Sequence, residues 1–475
     1  MPVPTHLILR AAACLSAAFL SAGCSSSDAR AQQALTAYQA AAASNDLVSA
    51  RRALLQLVRA KDDVADYWVE LGKVQASMGS YGDAYYAFTR AYELDRSNVD
   101  VLRMVVQLAL RSGDVALAQS RAQELDVLSP GDPWVRLTKG WAAVSETRFD
   151  EALSEADKLL ATSPYDSAGT VLKARALIGL DRQDEAVEVL NKQIQAQPSD
   201  AGSLQLLAKI YVRRGDWPRT ADTAQRLTEL IPTESNNWLL LIEAAFRSGN
   251  VPEGRRASAH LLQPNAEPTM IVSVLDLWND YWNSPQRLQD ARTFGLAAGL
   301  QQRAVYAAFL SRAGDTAGAI RLIAPNAGLP VKATNAEANA VVADAWLRTG
   351  KLSDARRRFD AVLAYDPGNA TALRGRSELQ LRTGNAAGAI EDAQKLVTVL
   401  PNSAADRLLL ARCYSAAGNR PWVERTLWAA FQEIPANEKI FAALQATKKG
   451  NEEASLDLQQ EFARQREAKL SRGLL

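Results

Sequence analysis

The sequence contains very little histidine and cysteine. Among 475 residues there are two histidines, His6 and His260, and three cysteines, Cys14, Cys24 and Cys413. Catalytic triads and most zinc sites are built from imidazole and thiolate groups. Aromatic residues are also scarce, at 7%. These absences argue against an enzyme, and we expect no cofactor, no metal site and no small-molecule substrate.

An excess of charge of either sign is also lacking. The chain has 54 Lys plus Arg against 53 Asp plus Glu, and 48% of its residues are hydrophobic. Proteins that bind nucleic acids usually carry a basic surplus. The sequence also has no glycine-rich phosphate loop, no metal-ligand spacing and no nucleophile elbow. The composition therefore predicts an ordinary soluble core and no nucleic-acid partner.

Residues 1–23 have the pattern of an export signal. Arg10 precedes about ten mostly apolar residues, too few to span a bilayer. The following LSAGC segment, residues 20–24, resembles the lipobox of bacterial lipoproteins, although Ser21 stands where the family usually has a large aliphatic residue. The resemblance implies cleavage before Cys24 and a diacylglyceryl group on its sulfur. The alternative is a plain secretory signal cut after Ala31.

Cleavage would leave Cys413 as the one unmodified thiol of the mature chain, so a disulfide framework is excluded in the monomer. Cys413 lies in an apolar stretch and is interpreted as a small buried hydrophobe. The resemblance to enterobacterial lipoproteins, with Ser25 after the modified cysteine, implies sorting to the outer membrane. We therefore expect a lipoprotein on the periplasmic side of the outer membrane, held by a tether at 24–30, or alternatively a soluble periplasmic protein.

The rest of the chain repeats with a period of 34 residues. Repeat starts at 31, 65, 99, 133, 167, 201, 235, 300, 336, 370 and 404 place alanine at position 20 in eight of eleven repeats. The same starts place glycine at position 15 and proline at position 32 in most repeats. The glycines include Gly79, Gly113, Gly215, Gly249, Gly350, Gly384 and Gly418, and the prolines are Pro130, Pro164, Pro198, Pro232, Pro367, Pro401 and Pro435.

This period predicts a pair of helices in each repeat. Glycine at position 15 can take the left-handed conformation that ends the first helix, and proline at position 32 stops the second. Small residues at positions 8 and 20 let the two helices approach closely. Because one short pair cannot bury its apolar face alone, successive pairs must stack. The predicted fold is an all-α, right-handed α-solenoid of about twelve helix pairs.

Two repeats resemble the tetratricopeptide repeat (TPR) family especially well. The residues that carry the resemblance are Trp68, Leu71, Gly72, Tyr81, Ala84, Phe88 and Ala91 in one repeat, and Ala343, Trp346, Gly350, Ala355, Phe359 and Pro367 in another. The resemblance spans residues 31–437. It implies a binding scaffold whose first helices line a concave groove with positions 2, 5, 9, 12 and 13.

The repeat pattern divides the chain into an N-terminal array at 31–264, an irregular segment at 265–335 and a C-terminal array at 336–437. Two helices in 438–475 are expected to cap the end. Glycine and alanine are lost from the pattern between 265 and 299. This break is interpreted as a degenerate helix pair, which is either a hinge or a packing adaptation.

Basic residues recur at two of the groove positions. Position 13 is Arg111, Arg213, Arg247, Arg312, Arg348 and Arg382, and position 9 includes Lys73 and Lys209. One hypothesis is a ladder of cations that binds an acidic peptide or an anionic envelope polymer. The alternative is local, because arginine in the last turn of a helix stabilises its negative end.

Trp278, Tyr281 and Trp282 form an aromatic cluster in the irregular segment. Such residues are common anchors at protein interfaces, but the spacing of four between the two tryptophans suits core packing equally well. We therefore expect a non-catalytic interaction scaffold that helps to assemble an envelope machine for pili, secretion or exopolysaccharide export, with envelope proteins as partners. The alternative is a regulator that binds a cell-wall or polysaccharide synthase, or an anionic glycan.

Overall fold

Local signals at the helix ends explain how each repeat folds, and the repeat at 99–132 is a good example. The first helix begins after Asn98, whose side chain accepts a hydrogen bond from the backbone N–H of Val101. It ends before Gly113, which has a φ of 79°. Asp114 then caps the second helix by accepting from the N–H of Leu117. Capping side chains and a left-handed glycine thus set the boundaries of both helices.

The computed structural model describes residues 27–471. Over this range the chain forms twenty-six α-helices and one short 3-10 helix, with no β-strand. The helices follow one another as thirteen pairs, so the predicted all-α fold of stacked helix pairs is confirmed. Twelve pairs match the predicted number, and the thirteenth consists of the two helices expected as C-terminal caps.

The chain divides into two compact units, at 27–198 and at 199–471 within the described range. The helices of the first unit are α1 (Ser27–Ala43), α2 (Leu47–Ala60), α3 (Ala65–Ser77), α4 (Tyr81–Leu94), α5 (Val99–Arg111), α6 (Val115–Leu128), α7 (Pro133–Ser145), α8 (Phe149–Thr162), α9 (Ser167–Gly179) and α10 (Gln183–Ala196). Odd-numbered helices are the first of each pair.

The second unit continues the same alternation. Its helices are α11 (Ala201–Arg214), α12 (Trp217–Leu230), α13 (Ser235–Arg247), α14 (Val251–Leu261), α15 (Pro268–Tyr281), α16 (Gln286–Ala297), α17 (Leu300–Arg312), α18 (Thr316–Ile323), a 3-10 turn (Ala324–Asn326), α19 (Ala336–Arg348), α20 (Leu352–Tyr365), α21 (Ala370–Arg382), α22 (Ala386–Val399), α23 (Ala404–Ala416), α24 (Arg420–Glu433), α25 (Glu438–Thr447) and α26 (Glu452–Ser471).

The small residues of the repeat lie where helices meet. Ala84, Ala152 and Ala355, all at position 20, are fully buried. A Cβ atom added to Gly140 would overlap a side-chain methyl of Leu172 on the next first helix. Alanine and glycine at these positions therefore allow close helix packing, as the sequence predicts.

The turn at position 15 keeps its backbone conformation even where glycine is absent. Gly350 and Gly384 have φ values of 82° and 80°. Asn45, Thr147 and Asp181 occupy the same position in the first unit and have φ values of 54°, 59° and 60°. The packing of the repeat therefore imposes the left-handed turn, whichever residue is present.

The irregular segment at 265–335 lies within the second unit. Helices α15 and α16 form its first pair, and the pair of α17 with the short α18 follows. The hinge remains a prediction, and the same holds for the domain boundaries. The expected signal peptide and Cys24 lie outside the described residues, whereas Ser27–Arg30, assigned to the tether, belong to α1.

Candidate binding grooves

The first helices of the second unit line two open grooves. Groove A has a volume of about 1330 Å³ and lies between α15 and α17 on one side and α23, α24 and α25 on the other. Groove B has a volume of about 1310 Å³. One wall is formed by α11, α12, α13 and the end of α15, and the other by the C-terminal helices α25 and α26. Both contain side chains of the groove positions that the sequence pattern predicts.

Groove B contains several of the predicted contact residues. Lys209, Arg213, Arg247 and Tyr281 all line it. The sequence analysis did not identify the opposite wall, which includes Phe462 and other residues of α25 and α26. The charged residues of the lining are Lys209, Arg213, Arg214, Arg247, Lys439 and Arg466 against Glu234, Glu243, Asp280 and Glu438. These are six cations and four carboxylates, and Glu467 of α26, which pairs with Arg213, is a fifth carboxylate, so the groove has a small excess of positive charge.

Arg247 is held rigidly in groove B. Its guanidinium carbon lies 3.8 Å from the centre of the Trp217 ring and 4.6 Å from the centre of the Tyr281 ring. Its Nη1 also donates a hydrogen bond of 2.8 Å to Glu243. Burial and the nearby Glu243 raise the pKa of the Tyr281 phenol, so the ring stays neutral. The result is a cation fixed between two aromatic rings.

Arg213 meets a carboxylate from the end of the chain. Its Nη2 donates to Glu467 of α26, and this ion pair joins two helices 254 residues apart in sequence. The side chain of Arg213 is about one-quarter exposed and that of Glu467 about one-half exposed. Groove B therefore already holds one acidic side chain of its own helix α26 against a cation of the predicted ladder.

The other predicted cations have varied surroundings. Arg312 lines groove A, where burial and the nearby Arg374 lower the pKa of its guanidinium. Arg348 donates to Asp344 at 2.9 Å, and Arg382 donates to the backbone carbonyl of Leu347 at 3.0 Å. The first contact is an ion pair within α19, and the second joins α21 to the last turn of α19 in the preceding repeat. The choice between a cation ladder and stabilisation of helix ends stays a prediction.

In the first unit, the two predicted cations are placed separately. Arg111 stacks on the ring of Tyr81, with 3.9 Å between its guanidinium carbon and the ring centre. Lys73 donates to Glu70 at 2.7 Å. Within the second unit, Lys209, Arg213 and Arg247 are brought together in groove B, and Arg312 lies close to Arg348. The ladder as a whole stays a prediction.

The aromatic cluster is divided between the core and groove B. Trp278 is fully buried, and its indole N–H donates to Ser258 Oγ at 2.9 Å. Trp282 is 4% exposed and stacks on Phe246 at 5.1 Å. Burial of both tryptophans favours the core-packing alternative for them, whereas Tyr281 stays accessible in groove B.

Two ion pairs of the second unit, each joined by two hydrogen bonds, were not predicted from the sequence. Arg374 donates two hydrogen bonds to Asp406, at 2.6 and 2.8 Å. Arg376 pairs in the same two-bonded way with Asp392, at 2.8 Å for both bonds. The separation of 32 residues between Arg374 and Asp406 is close to the repeat period, so it was a usable signal for a contact between neighbouring repeats.

The one histidine and the one cysteine within residues 27–471 have different surroundings, since His260 is exposed and Cys413 is buried. His260 stacks on the indole of Trp238 with 3.8 Å between the ring centres. Cys413 is fully buried 3.4 Å from Ser377 Oγ, and burial raises the pKa of its thiol. The expectation of a small buried cysteine is therefore confirmed. Within residues 27–471, no group of three or more His, Cys, Asp or Glu side chains is arranged to hold a metal ion.

None of the helices described between residues 27 and 471 is both long enough and apolar enough to cross a membrane.

The fold resembles several solved repeat proteins at low sequence identity. A tetratricopeptide repeat protein from Parabacteroides merdae ATCC 43184 is 16% identical over 55% of this chain and 96% of its own, with a TM-score of 0.38. A chain of the APC/C hetero-tetramer Cut9-Hcn1 is 11% identical over 94% of this chain and 96% of its own, with a TM-score of 0.32. YrrB, described as a TPR protein with an unusual peptide-binding site, is 21% identical over 35% of this chain and 87% of its own, with a TM-score of 0.29.

Family models match two regions of the sequence, whereas no curated protein matches it. Residues 343–406 match a model described as tetratricopeptide repeat. Residues 135–265 match a model described as Psidin, N-terminal TPR repeats region. Proteins built from such repeats generally act as protein-interaction scaffolds. Together with the 34-residue helix pairs, the two matches support the assignment of these repeats to the tetratricopeptide repeat family.

Proposed function

We propose that this protein is a non-catalytic scaffold that binds an acidic segment of a partner protein in groove B. The observation that carries the proposal is the set of cations gathered there, with Arg247 fixed between Trp217 and Tyr281 and Arg213 already paired with a carboxylate. Arginine clusters recognise acidic motifs through charge-assisted hydrogen bonds. A preformed guanidinium loses little conformational freedom when such a motif binds.

The size and lining of groove B suit a polypeptide better than a small molecule. Small-molecule sites are usually enclosed, mostly apolar and about 300–1000 Å³ in volume. Groove B is larger, at about 1310 Å³, and ten charged side chains line it. An extended segment or a helix of another protein would place several side chains along these charges.

A dye placed in groove B tests the proposal locally. Asn236 is exposed and lines the groove, and Cys413 is buried, so Asn236→Cys in a Cys24→Ser background gives one reactive thiol in the mature chain. We expect hexaglutamate to change the dye signal and hexaglutamine to leave it unchanged. The double change Arg213→Gln with Arg247→Gln should raise the Kd about tenfold or more, since each lost charged hydrogen bond costs about 1.5–3 kcal/mol.

Arg182→Gln is the matched control, because Arg182 is an exposed arginine of the first unit that pairs with Glu185 at 2.6 Å. It should leave the Kd unchanged. Binding of hexaglutamate should also weaken as salt rises. Equal binding of the two peptides, or an unchanged Kd in the double variant, would contradict an acidic partner.

The location that we propose for this scaffold is the periplasmic face of the outer membrane, with a lipid on Cys24, and the process is assembly of a pilus, secretion or exopolysaccharide-export machine. The proposal rests on the LSAGC segment and on the repeat scaffold. We expect cells fed with labelled palmitate to label the wild-type chain in the outer-membrane fraction, and Cys24→Ser to be unlabelled and soluble. Labelling of Cys24→Ser would refute the lipid site.

Crosslinking in intact cells followed by mass spectrometry then identifies the partner. Recovery of a defined machine with wild type, but not with the soluble Cys24→Ser variant, supports the assembly role. Recovery of a synthase, or of glycan without protein, supports the regulator instead.

A further inference from the structure

Arg175 of the first unit has no partner for its charge among the residues that the structure describes. It lies at position 9 of α9, and its guanidinium carbon is 5.3 Å from the centre of the Trp141 ring at position 9 of α7. Its Nε is buried and has no hydrogen-bond partner. Within residues 27–471 the side chain makes no hydrogen bond and no ion pair. A half-buried guanidinium that makes no hydrogen bond within the protein is costly.

Comparison with the other arginines shows that this arrangement is unusual. Three more arginines of the described chain have a buried, unbonded Nε, but their terminal nitrogens are bonded. Arg51 donates to Asp83 at 3.2 Å, Arg121 donates to Glu124 at 2.7 Å, and Arg287 donates to Asn283 at 3.0 Å. Burial lowers the pKa of Arg175, and no neighbouring carboxylate raises it back.

The position of Arg175 leaves it accessible to a ligand. Ala168, Val171, Arg175 and Gly179 are half-buried and fall three or four residues apart on one face of α9. Trp134 and Trp141 are half-buried at the matching positions of α7. The indole and the guanidinium are therefore neighbours on the matching faces of two successive first helices, and both side chains are only partly buried.

We propose that Arg175 and Trp141 form a second binding site, separate from groove B, which takes one carboxylate of an acidic peptide. The guanidinium would donate to the carboxylate oxygens, and the Trp141 ring would contact the adjoining apolar atoms. The nearby cations are already paired, since Lys139 contacts Asp126 at 3.4 Å and Lys173 contacts Asp157 at 2.7 Å. Because Arg175 is the one available guanidinium here, the site can bind one carboxylate of a peptide. A repeating polyanion would make only one charged contact with it.

A dye attached near this site reports ligand binding there and not in groove B. Ser145 is exposed on α7, one turn beyond Trp141, so Ser145→Cys in the Cys24→Ser background provides the label position. Two probes distinguish the source of the carboxylate: amidated hexaglutamate offers only side-chain carboxylates, and hexaglutamine with a free C-terminus offers only the terminal one. We expect at least one of them to bind, and Arg175→Met to raise its Kd about tenfold or more.

The groove B double variant, Arg213→Gln with Arg247→Gln, should leave binding at the Ser145 dye unchanged. Failure of this site and failure of groove B are therefore distinguishable. The proposal would be overturned if trigalacturonate changed the dye signal and neither peptide did. It would also be overturned if Arg175→Met did not weaken peptide binding.

Stability gives an independent readout. Arg175→Met removes a half-buried charge that no carboxylate compensates, so the unliganded variant should melt higher by about 2–4 °C. Arg175→Lys keeps the charge but loses the planar fork, and should bind more weakly without melting higher. A lower melting temperature for Arg175→Met would mean that Arg175 serves the fold, and it would overturn the binding role.

Discussion

The repeats at 133–198 and those at 336–416 are built from the same helix pairs. They differ in whether one half-buried arginine of each region is paired with a carboxylate. Arg374 of α21 donates two hydrogen bonds to Asp406, whose side chain is fully buried. Burial opposes the charge of Arg374, yet the bonds to Asp406 outweigh it and raise its pKa. Arg175 of α9 has only Trp141 beside it, and burial lowers its pKa. The same side chain therefore stabilises one region and is a cost to the other.

The two regions also differ in the turn at position 15. Gly350 and Gly384 end the first helices of the later repeats, whereas Thr147 and Asp181 occupy the same left-handed turn in the earlier ones. The later repeats thus keep the glycine of the turn, whereas the earlier repeats have other residues there, close in sequence to an arginine that no carboxylate pairs. Departures from a repeat pattern are expected where a surface serves binding.

The largest expected effect comes from breaking the pair in the later repeats. Arg374→Met leaves the buried Asp406 carboxylate without its partner, so the free energy of local unfolding should fall by about 3–5 kcal/mol. Native-state hydrogen exchange over 370–416 measures this quantity for the affected repeats, which suits a chain of stacked units better than one global unfolding curve.

Lys395→Met is the control for this experiment, because its pair with Glu391 is exposed on both sides at 2.7 Å and should contribute little to stability. Adding Asp406→Leu to Arg374→Met should recover much of the loss, since an apolar pair replaces the orphaned carboxylate. A loss below about 1 kcal/mol in Arg374→Met would remove the contrast with Arg175, where the same substitution is expected to stabilise the repeat.

Much of the fold could be predicted from the sequence because its signals are local and repeat every 34 residues. Alanine at position 20 and glycine at position 15 predicted the close helix contact and the turn between the helices. The left-handed turns at Thr147 and Asp181 had no such signal, since neither residue carries the glycine of the repeat pattern and packing imposes the conformation.

The candidate site was less predictable, because it depends on contacts between distant parts of the chain. Lys209, Arg213 and Arg247 follow from the repeat, but the wall that faces them comes from α25 and α26, at the far end of the second unit. The pattern also could not show that Trp278 is buried and Tyr281 accessible, since residues three apart on a helix share much of one face.

The smallest expected effect is a reciprocal exchange at the turn. Thr147→Gly should stabilise its repeat by about 1 kcal/mol, because a β-branched residue is strained at a φ of 59° and glycine is not. Gly350→Thr, at a φ of 82°, should destabilise its repeat by about 1–2 kcal/mol for the same reason. A Cβ at Gly350 would meet no atom within 4 Å, so this second effect is one of backbone conformation alone. Hydrogen exchange over 133–162 and over 336–365 measures the two changes separately. If both substitutions destabilised their repeats equally, the turn at Thr147 would depend on contacts of its side chain, and the two regions would differ in packing as well as in turn residue.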